Sequence, residues 1–178
     1  RFLPHFDPGF TAAYFDQTGR YAYGRQPSAA MWALCRLADC FVPIVDAEVL
    51  AETLSGFYSS MERNLARRVC WRLGVEGTDD DASQLSALVF EAAKASQIGW
   101  DRLFHDLYGG QRPDKFADPA WQSSAELAKL ADYASSLPPR QTETAIQSVR
   151  AAPLISLEIS IVERIWAPIA TSDDWSEF

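Results

Sequence analysis

The sequence predicts an all-α fold. Apolar residues recur at steps of three and four over most of the chain, and residues that favour helix ends punctuate these runs. Only the segment 153–166 alternates like a strand, and no partner strand is evident for it. With 178 residues, of which 48% are apolar, the chain suits one domain with a substantial core.

Residues 1–27 are predicted to form an irregular but ordered segment. They hold three Pro and three Gly, which break any regular period, and seven aromatic residues, which are too many for a solvated tail. A helical domain is expected to follow over residues 28–178. Its first helix is predicted to begin with Ser28 as the N-cap and to end at Pro43.

The next stretch is predicted to be one long helix between Asp46, an N-cap, and Gly74, a C-cap. A stripe of apolar side chains at steps of three and four supports this helix, which can bend at Gly56. The acidic run 79–81 is expected just before the following helix, where the helix dipole favours negative charge. The further predicted helices span residues 82–97, 99–108, 120–136 and 140–150, with a loop at 109–119.

The final segment, 153–166, has two interpretations. The alternation of Leu157, Ile159 and Ile161 favours a strand, whereas the spacing of Leu157, Ile161 and Ile165 favours a helix. Because apolar residues occur on every side of this segment and a strand would lack a partner, we predict a buried helix.

Composition and charge exclude several classes of protein. A net charge of −8 and a pI near 4.7 argue against broad nucleic-acid binding. No apolar run reaches the roughly 18 residues that a membrane-spanning helix needs. Three Cys without a C-x-x-C motif fit free thiols in a reducing cytosol, and the N-terminal residues show no export signal. We therefore expect a cytoplasmic protein that binds neither nucleic acid nor membranes.

The charge is divided unevenly, with a net +1 over residues 1–75 and a net −9 over residues 76–178. Four arginines cluster on the long predicted helix: Arg63, Arg67, Arg68 and Arg72. Such a cluster can bind phosphates or an acidic peptide. It can equally be a solvated face near a helix C-terminus, where cations are favoured, or it can pair with the acidic second half of the same chain.

The motifs of common catalytic and metal sites are missing from the sequence. It contains no H-E-x-x-H, no G-x-S-x-G and no G-x-x-x-x-G-K-[ST]. The acidic run 79–81 fits a helix cap better than a calcium loop, because Leu85 stands where the sharp turn needs Gly. His105 fits a surface or half-buried histidine better than a ligand. From the residues alone we assign no catalytic residue, metal or cofactor to this chain.

Three short motifs in the first forty residues form a spaced pattern: FDPGF, GRYAYGRQP and MWALCRLADC. This pattern resembles the selenoprotein O family, also called YdiU, in which D-P-x-F, G-R-Y-x-F-x-N-Q-P and W-N-L-x-x-L-A follow one another. The matching residues are Asp7, Pro8, Gly9, Phe10, Gly19, Arg20, Tyr21, Tyr23 (in an aromatic position), Gln26, Pro27, Trp32, Leu34, Leu37 and Ala38. Arg25 stands where the family usually has Asn, and the match thins after about Asp118.

The resemblance implies a kinase-like fold and the transfer of AMP from ATP to Ser, Thr or Tyr hydroxyls of proteins. The family's nucleotide-binding and metal-binding residues would precede Arg1. Since the first Met is Met31, we expect a C-terminal part of a longer protein, similar to the C-lobe after the metal-binding motif. We expect this part to be inactive alone and to hold no cofactor. The full-length protein would use ATP with magnesium or manganese, act on protein substrates in the bacterial cytoplasm, and supply the missing N-terminal region as a partner.

Under this resemblance, residues 1–27 would act like an activation segment that flanks the cleft for a protein substrate. Four residues are the candidates to face that substrate: Arg20, Tyr21, Arg25 and Gln26. For Tyr21 and Gln26, fixing the segment against the helices is an equal alternative. A second hypothesis for the whole chain is a non-catalytic helical module for protein interaction or regulation.

Overall fold

The computed structural model describes residues 3–112 and 118–177, which form nine α-helices and one 3-10 turn. No β-strand occurs among these residues, so the all-α prediction is confirmed. None of the described helices is long and apolar enough to span a membrane. The bounds are Tyr23–Arg25 (3-10), Gln26–Asp39 (α1), Ala47–Ser55 (α2), Phe57–Leu73 (α3), Asp79–Ser96 (α4), Trp100–Asp106 (α5), Ala120–Ser123 (α6), Ala125–Ser135 (α7), Glu143–Ala151 (α8) and Ile159–Ser172 (α9). Part of the predicted loop at 109–119 lies outside the described residues.

Helix α1 begins at Gln26, so the prediction of an N-cap at Ser28 is wrong. The reason is Pro27, whose fixed φ and missing N–H suit the first turn of a helix. The helix therefore encloses the proline and starts directly after the 3-10 turn, with Arg25 in the cap position. It also ends at Asp39, before Pro43 is reached.

The predicted long helix is two helices that meet at Gly56. This residue is both the C-cap of α2 and the N-cap of α3. The C-cap at Gly74 is confirmed: its φ of 70° is left-handed, and its amide donates to the carbonyls of Cys70 and Trp71. Gly is favoured there because it has no Cβ to clash.

Helix α4 begins at Asp79, so the acidic run lies in its first turn and not before it. A capping box sets this start: the Asp81 amide donates to Thr78 Oγ1 at 3.2 Å, and the Thr78 amide donates to Asp81 Oδ2 at 2.9 Å. Hydrogen bonds from Thr78, first of all from its hydroxyl, lower the pKa of Asp81.

Side-chain caps also place two boundaries that apolar spacing did not predict. The Ser124 hydroxyl accepts from the Leu127 amide at 3.2 Å and divides the predicted helix 120–136 into α6 and α7. The Thr142 hydroxyl accepts from the Ala145 amide at 3.4 Å, so α8 begins after it and not at residue 140.

The prediction of a helix over 153–166 is confirmed from Ile159 onward and is wrong for residues 153–157, which have no regular structure. One cause is visible in the contacts of this stretch. The Ser156 hydroxyl donates to Asp101 Oδ2 at 2.9 Å and ties the irregular segment to α5. The prediction that this helix is buried is wrong as well, since Ile155 is 81% exposed in the irregular stretch and Trp166 is 58% exposed in α9.

The hydrophobic core lies in the helices α3 to α7, which we call the helical body. Helix α4 packs against both α3 and α7. Leu73, Leu85 and Leu130, one from each of these three helices, are fully buried. Trp121 of α6 is buried beside them, and its indole N–H donates to the carboxylate of Asp106 at 2.9 Å.

Residues 3–55, which comprise the irregular segment, α1 and α2, are packed differently, and we call them the N-terminal arm. Neither α1 nor α2 contains a buried residue. Trp32 is 50% exposed and Leu37 is 54% exposed. The start of the arm is anchored to the body by stacked rings, because Phe6 lies 5.5 Å from Trp100 between ring centroids.

Candidate functional site

Asp16 organises the turn that carries the candidate substrate-facing residues. Its carboxylate is buried and accepts the backbone amides of Tyr21 at 2.7 Å and Arg20 at 2.9 Å. The hydroxyls of Thr18 and Thr11 donate to the same carboxylate at 3.2 and 3.5 Å. These hydrogen bonds, above all the one from the Tyr21 amide, lower the pKa of Asp16 against the opposing effect of burial. The turn is therefore fixed by one ionised side chain.

A cavity of about 380 Å³ lies between this turn and the start of α1. Arg20, Tyr21 and Arg25 line it, so the structure brings together three of the four candidate residues. The fourth, Gln26, is exposed and does not line the cavity. The remaining lining residues are Thr18, Ser28, Ala29 and Trp32.

Both arginines of this cavity are held in place by neutral groups. The Arg20 guanidinium lies 5.5 Å from the centroid of the Trp32 ring, and Arg25 Nη1 donates to the Thr18 carbonyl at 3.4 Å. Within the described part of the chain, neither arginine forms an ion pair with a carboxylate. The cavity is therefore positively charged and open to an anionic group.

The four arginines of α3 do not converge on one empty site. Arg67 forms a bidentate pair with Asp79 at 2.8 and 2.9 Å, and its hydrogen bonds are the main cause of the lowered pKa of Asp79. Arg72 donates to Asp101 at 2.5 Å. Two arginines thus bind carboxylates of the acidic half of the chain, which was one of the alternatives for this cluster. Arg68 stacks on Trp71 at 4.4 Å.

Sequence reasoning missed an apolar groove of about 1250 Å³ along α1, α2 and α3. Leu34, Leu54 and Phe57 are among its apolar lining residues. Arg68 and Arg140 are cationic residues at its surface. The signal was present in the sequence as the apolar stripes of these helices. Periodicity identifies such a stripe but does not tell whether the same chain covers it.

A second cavity that the sequence did not indicate measures about 470 Å³ and lies between the arm and the body. Its walls include His5, Tyr23 and Trp100 together with the Arg72–Asp101 pair. The guanidinium of Arg72 also lies 4.1 Å from the centroid of Phe104, so it is fixed from two sides.

His105 is half-buried, as the sequence predicted, and its Nε2 lies 3.1 Å from the Ala152 carbonyl oxygen. Its contact is thus with the backbone that follows α8. In the described ranges, no group of three His, Cys, Asp or Glu side chains is arranged to hold a metal ion. The geometry supports binding of an anionic group at the arginine cavity and of an apolar surface at the groove.

The whole sequence, residues 1–178, matches the family described as Protein adenylyltransferase SelO. The chain belongs to the SelO family. This confirms the resemblance drawn from the motifs of the first forty residues, and it extends the match through the C-terminal helices, where the motif pattern had thinned.

Curated members of the SelO family show how much of such a protein this chain represents. A Synechocystis protein described as Protein nucleotidyltransferase YdiU is 27% identical over 201 residues, which are 99% of this chain and 41% of that protein. A Stutzerimonas stutzeri protein of the same description is 34% identical over 115 residues, 63% of this chain and 23% of that protein. The chain thus spans about two fifths of the length of a relative that it matches throughout.

Proposed function

We propose that this chain is the C-terminal helical part of a protein adenylyltransferase that transfers AMP from ATP to Ser, Thr or Tyr hydroxyls of proteins. The observation that carries the proposal is the match to the SelO family over residues 1–178. In such a transfer a protein hydroxyl gives up its proton, its oxygen bonds to the α-phosphorus of ATP, and the bond from that phosphorus to pyrophosphate breaks. Magnesium or manganese, bound elsewhere in the full-length protein, would neutralise phosphate charge.

The part of the reaction assigned to this chain is the positioning of the protein substrate. The irregular segment of the arm would act like an activation segment, and the helices would correspond to the C-lobe of a kinase-like fold after the metal-binding motif. The cavity formed by Arg20, Tyr21 and Arg25 supports this role, because it lies at the exposed surface of that segment. Positioning of a hydroxyl near its target atom can supply a large part of catalysis.

The partner proposed for the apolar groove of α1 to α3 is the remaining part of the longer protein. Relatives matched over this whole chain carry more than half of their length outside the matched region. The groove is wide, and its walls include half-exposed Leu65 and Trp71. Covering such surface removes apolar area from water and stabilises the assembled protein.

The test of this function uses the full-length protein with labelled ATP, a divalent cation and a bacterial protein extract. We expect labelled AMP on protein hydroxyls, identified by mass spectrometry. Arg25→Ala is expected to reduce the transfer, and unchanged transfer would refute its substrate-facing role. The 178-residue chain alone is expected to show neither transfer nor ATP binding, so a thermal shift with ATP and magnesium would contradict this part of the proposal.

The exposed groove also favours a second candidate function, a non-catalytic helical module that binds another protein. The gene upstream of Arg1 distinguishes the two. The resemblance implies Asp-Tyr-Gly-Pro as the metal-binding motif of the transferase, preceded by a nucleotide-binding Lys. A gene that encodes both upstream of Arg1 would support the transferase, and a gene that encodes neither would support the module.

A further inference from the structure

The cavity at the start of α1 carries the positive charges of Arg20 and Arg25, and no nearby carboxylate of the arm pairs with them. Between Asp7 and Asp39 the sequence contains one acidic residue, Asp16. Both oxygens of Asp16 are engaged by the backbone amides and threonine hydroxyls of its own turn. No local carboxylate is therefore left for Arg20 and Arg25.

This arrangement differs from that of three arginines of the helical body. Arg67, Arg72 and Arg102 are each paired with a carboxylate of the body. In the arm, Arg20 and Arg25 line one cavity, and among the described residues the contacts of their guanidinium groups are with the Trp32 ring and the Thr18 carbonyl, both neutral. These three cations are thus neutralised within the body, whereas the cavity presents two cations to a molecule that approaches from solvent.

The geometry of the two arginines suits a carboxylate. The guanidinium carbon of Arg20 lies over the Trp32 ring, 5.5 Å from its centroid, and a cation–π contact of this kind leaves the guanidinium N–H groups available to donate to a ligand. The cavity of about 380 Å³ accommodates one or two side chains, and Tyr21 and Ser28 are further lining residues. Planar, paired donors of this kind match the two oxygens of a carboxylate.

We infer that this cavity binds an Asp or Glu side chain of the protein substrate next to the hydroxyl that receives AMP. The inference rests on the proposed transferase function. It adds that the preferred substrates are protein segments with acidic residues next to the target hydroxyl. Because the arginines are exposed, the interaction is screened by salt and changes affinity by about fivefold per arginine at most.

The experiment compares three peptides with the full-length protein, each containing one Ser flanked on both sides by Glu, by Gln or by Lys. We expect kcat/KM for AMP transfer to be several-fold higher for the Glu peptide than for the Gln peptide, mainly through KM. The ratio is expected to fall as ionic strength rises, and the Lys peptide is expected to be the poorest substrate.

Substitutions of the two arginines test whether the preference for the Glu peptide depends on the cavity. Arg20→Gln with Arg25→Gln is expected to bring the Glu-to-Gln ratio close to one, and Arg25→Lys is expected to restore part of the preference. Arg36→Gln is the matched control, because Arg36 lies on α1, is exposed, pairs with Asp39 and does not line the cavity. Its ratio is expected to equal that of the unmodified protein. A merely structural role of Arg20 and Arg25 would lower transfer to both peptides and leave the ratio unchanged.

Failure of this inference is distinguishable from failure of the proposed function. Transfer at equal kcat/KM to the Glu and Gln peptides would overturn the inference and leave the transferase in place. If no peptide and no protein receives AMP, the transferase proposal fails, and fluorescence anisotropy of the labelled peptides then tests the cavity directly. In that measurement, tighter binding of the Glu peptide that is lost in the double variant supports the cavity, and equal binding of the Glu and Gln peptides overturns it.

Discussion

The helical body and the N-terminal arm are both rich in apolar residues, but they bury them to very different extents. In the body, α4 packs between α3 and α7, and Leu85 at its centre has no exposed surface. In the arm, α1 and α2 have no buried residue, and Leu37 is more than half exposed. An apolar helical face thus identifies a packing surface without identifying its partner. In the body, the partner surface belongs to the same chain. In the arm, much of the apolar face of α1 and α2 is exposed.

The largest effect expected from this comparison is on core leucines. Leu85→Ala in the 178-residue chain is expected to lower the free energy of unfolding by about 3 kcal/mol, because it leaves a cavity among α3, α4 and α7. Leu37→Ala in α1 is the matched control and is expected to lower it by less than about 1 kcal/mol. Urea unfolding monitored by circular dichroism measures both. An equal loss for the two variants would show that α1 is packed as tightly as the body.

The two ends of α3 provide the next comparison, because Gly56 faces the arm and Gly74 lies within the body. Gly74→Ala is expected to lower the free energy of unfolding by about 1–2 kcal/mol, since its φ of 70° is left-handed and an added Cβ would lie 3.0 Å from the Tyr108 ring. Gly56→Ala is expected to be neutral or to stabilise by up to about 1 kcal/mol, since no atom lies within 4 Å of the added Cβ and its backbone is helical. The midpoint of urea unfolding ranks the two variants. Destabilisation by Gly56→Ala would show that the junction between α2 and α3 needs glycine.

The sequence was most informative where one local interaction decides the structure. Gly74 was predicted as a C-cap, because a helix followed by Gly ends most easily in the left-handed conformation. The boundaries at Gln26 and Asp79 were missed by two or three residues. There, a proline inside the first turn and a Thr–Asp capping box outweigh the apolar period. Helix boundaries depend on a few hydrogen bonds, which the spacing of apolar residues does not report.

Apolar spacing predicts even less about the candidate site than about helix boundaries. Arg20, Tyr21 and Arg25 were identified from the family resemblance, and the structure places them around one cavity. Asp16 fixes the turn that carries these residues. The spacing of apolar residues does not predict its burial, because that burial depends on hydrogen bonds to backbone amides four and five residues further along the chain. The pairing of Arg67 with Asp79 joins two helices and was one alternative among three. A contact between two helices, such as this ion pair, can be predicted only when the packing of the helices is already known.

The smallest expected effect is a loss of local stability in the N-terminal arm at acid pH. It tests whether the arm and the helical body unfold independently. Hydrogen bonds lower the pKa of Asp16 in the folded chain, so its carboxylate stabilises the turn at pH values above the ordinary range of aspartate. This stabilisation is lost as the pH falls through the lowered pKa, below about pH 4. We expect the Arg20 and Tyr21 amides to lose hydrogen-exchange protection there, while the core amides of α3 and α4 remain protected. Asp16→Asn is the control, and its turn is expected to be weakly protected at every pH. Simultaneous loss of protection in the arm and the body would show that the two regions unfold as one cooperative unit.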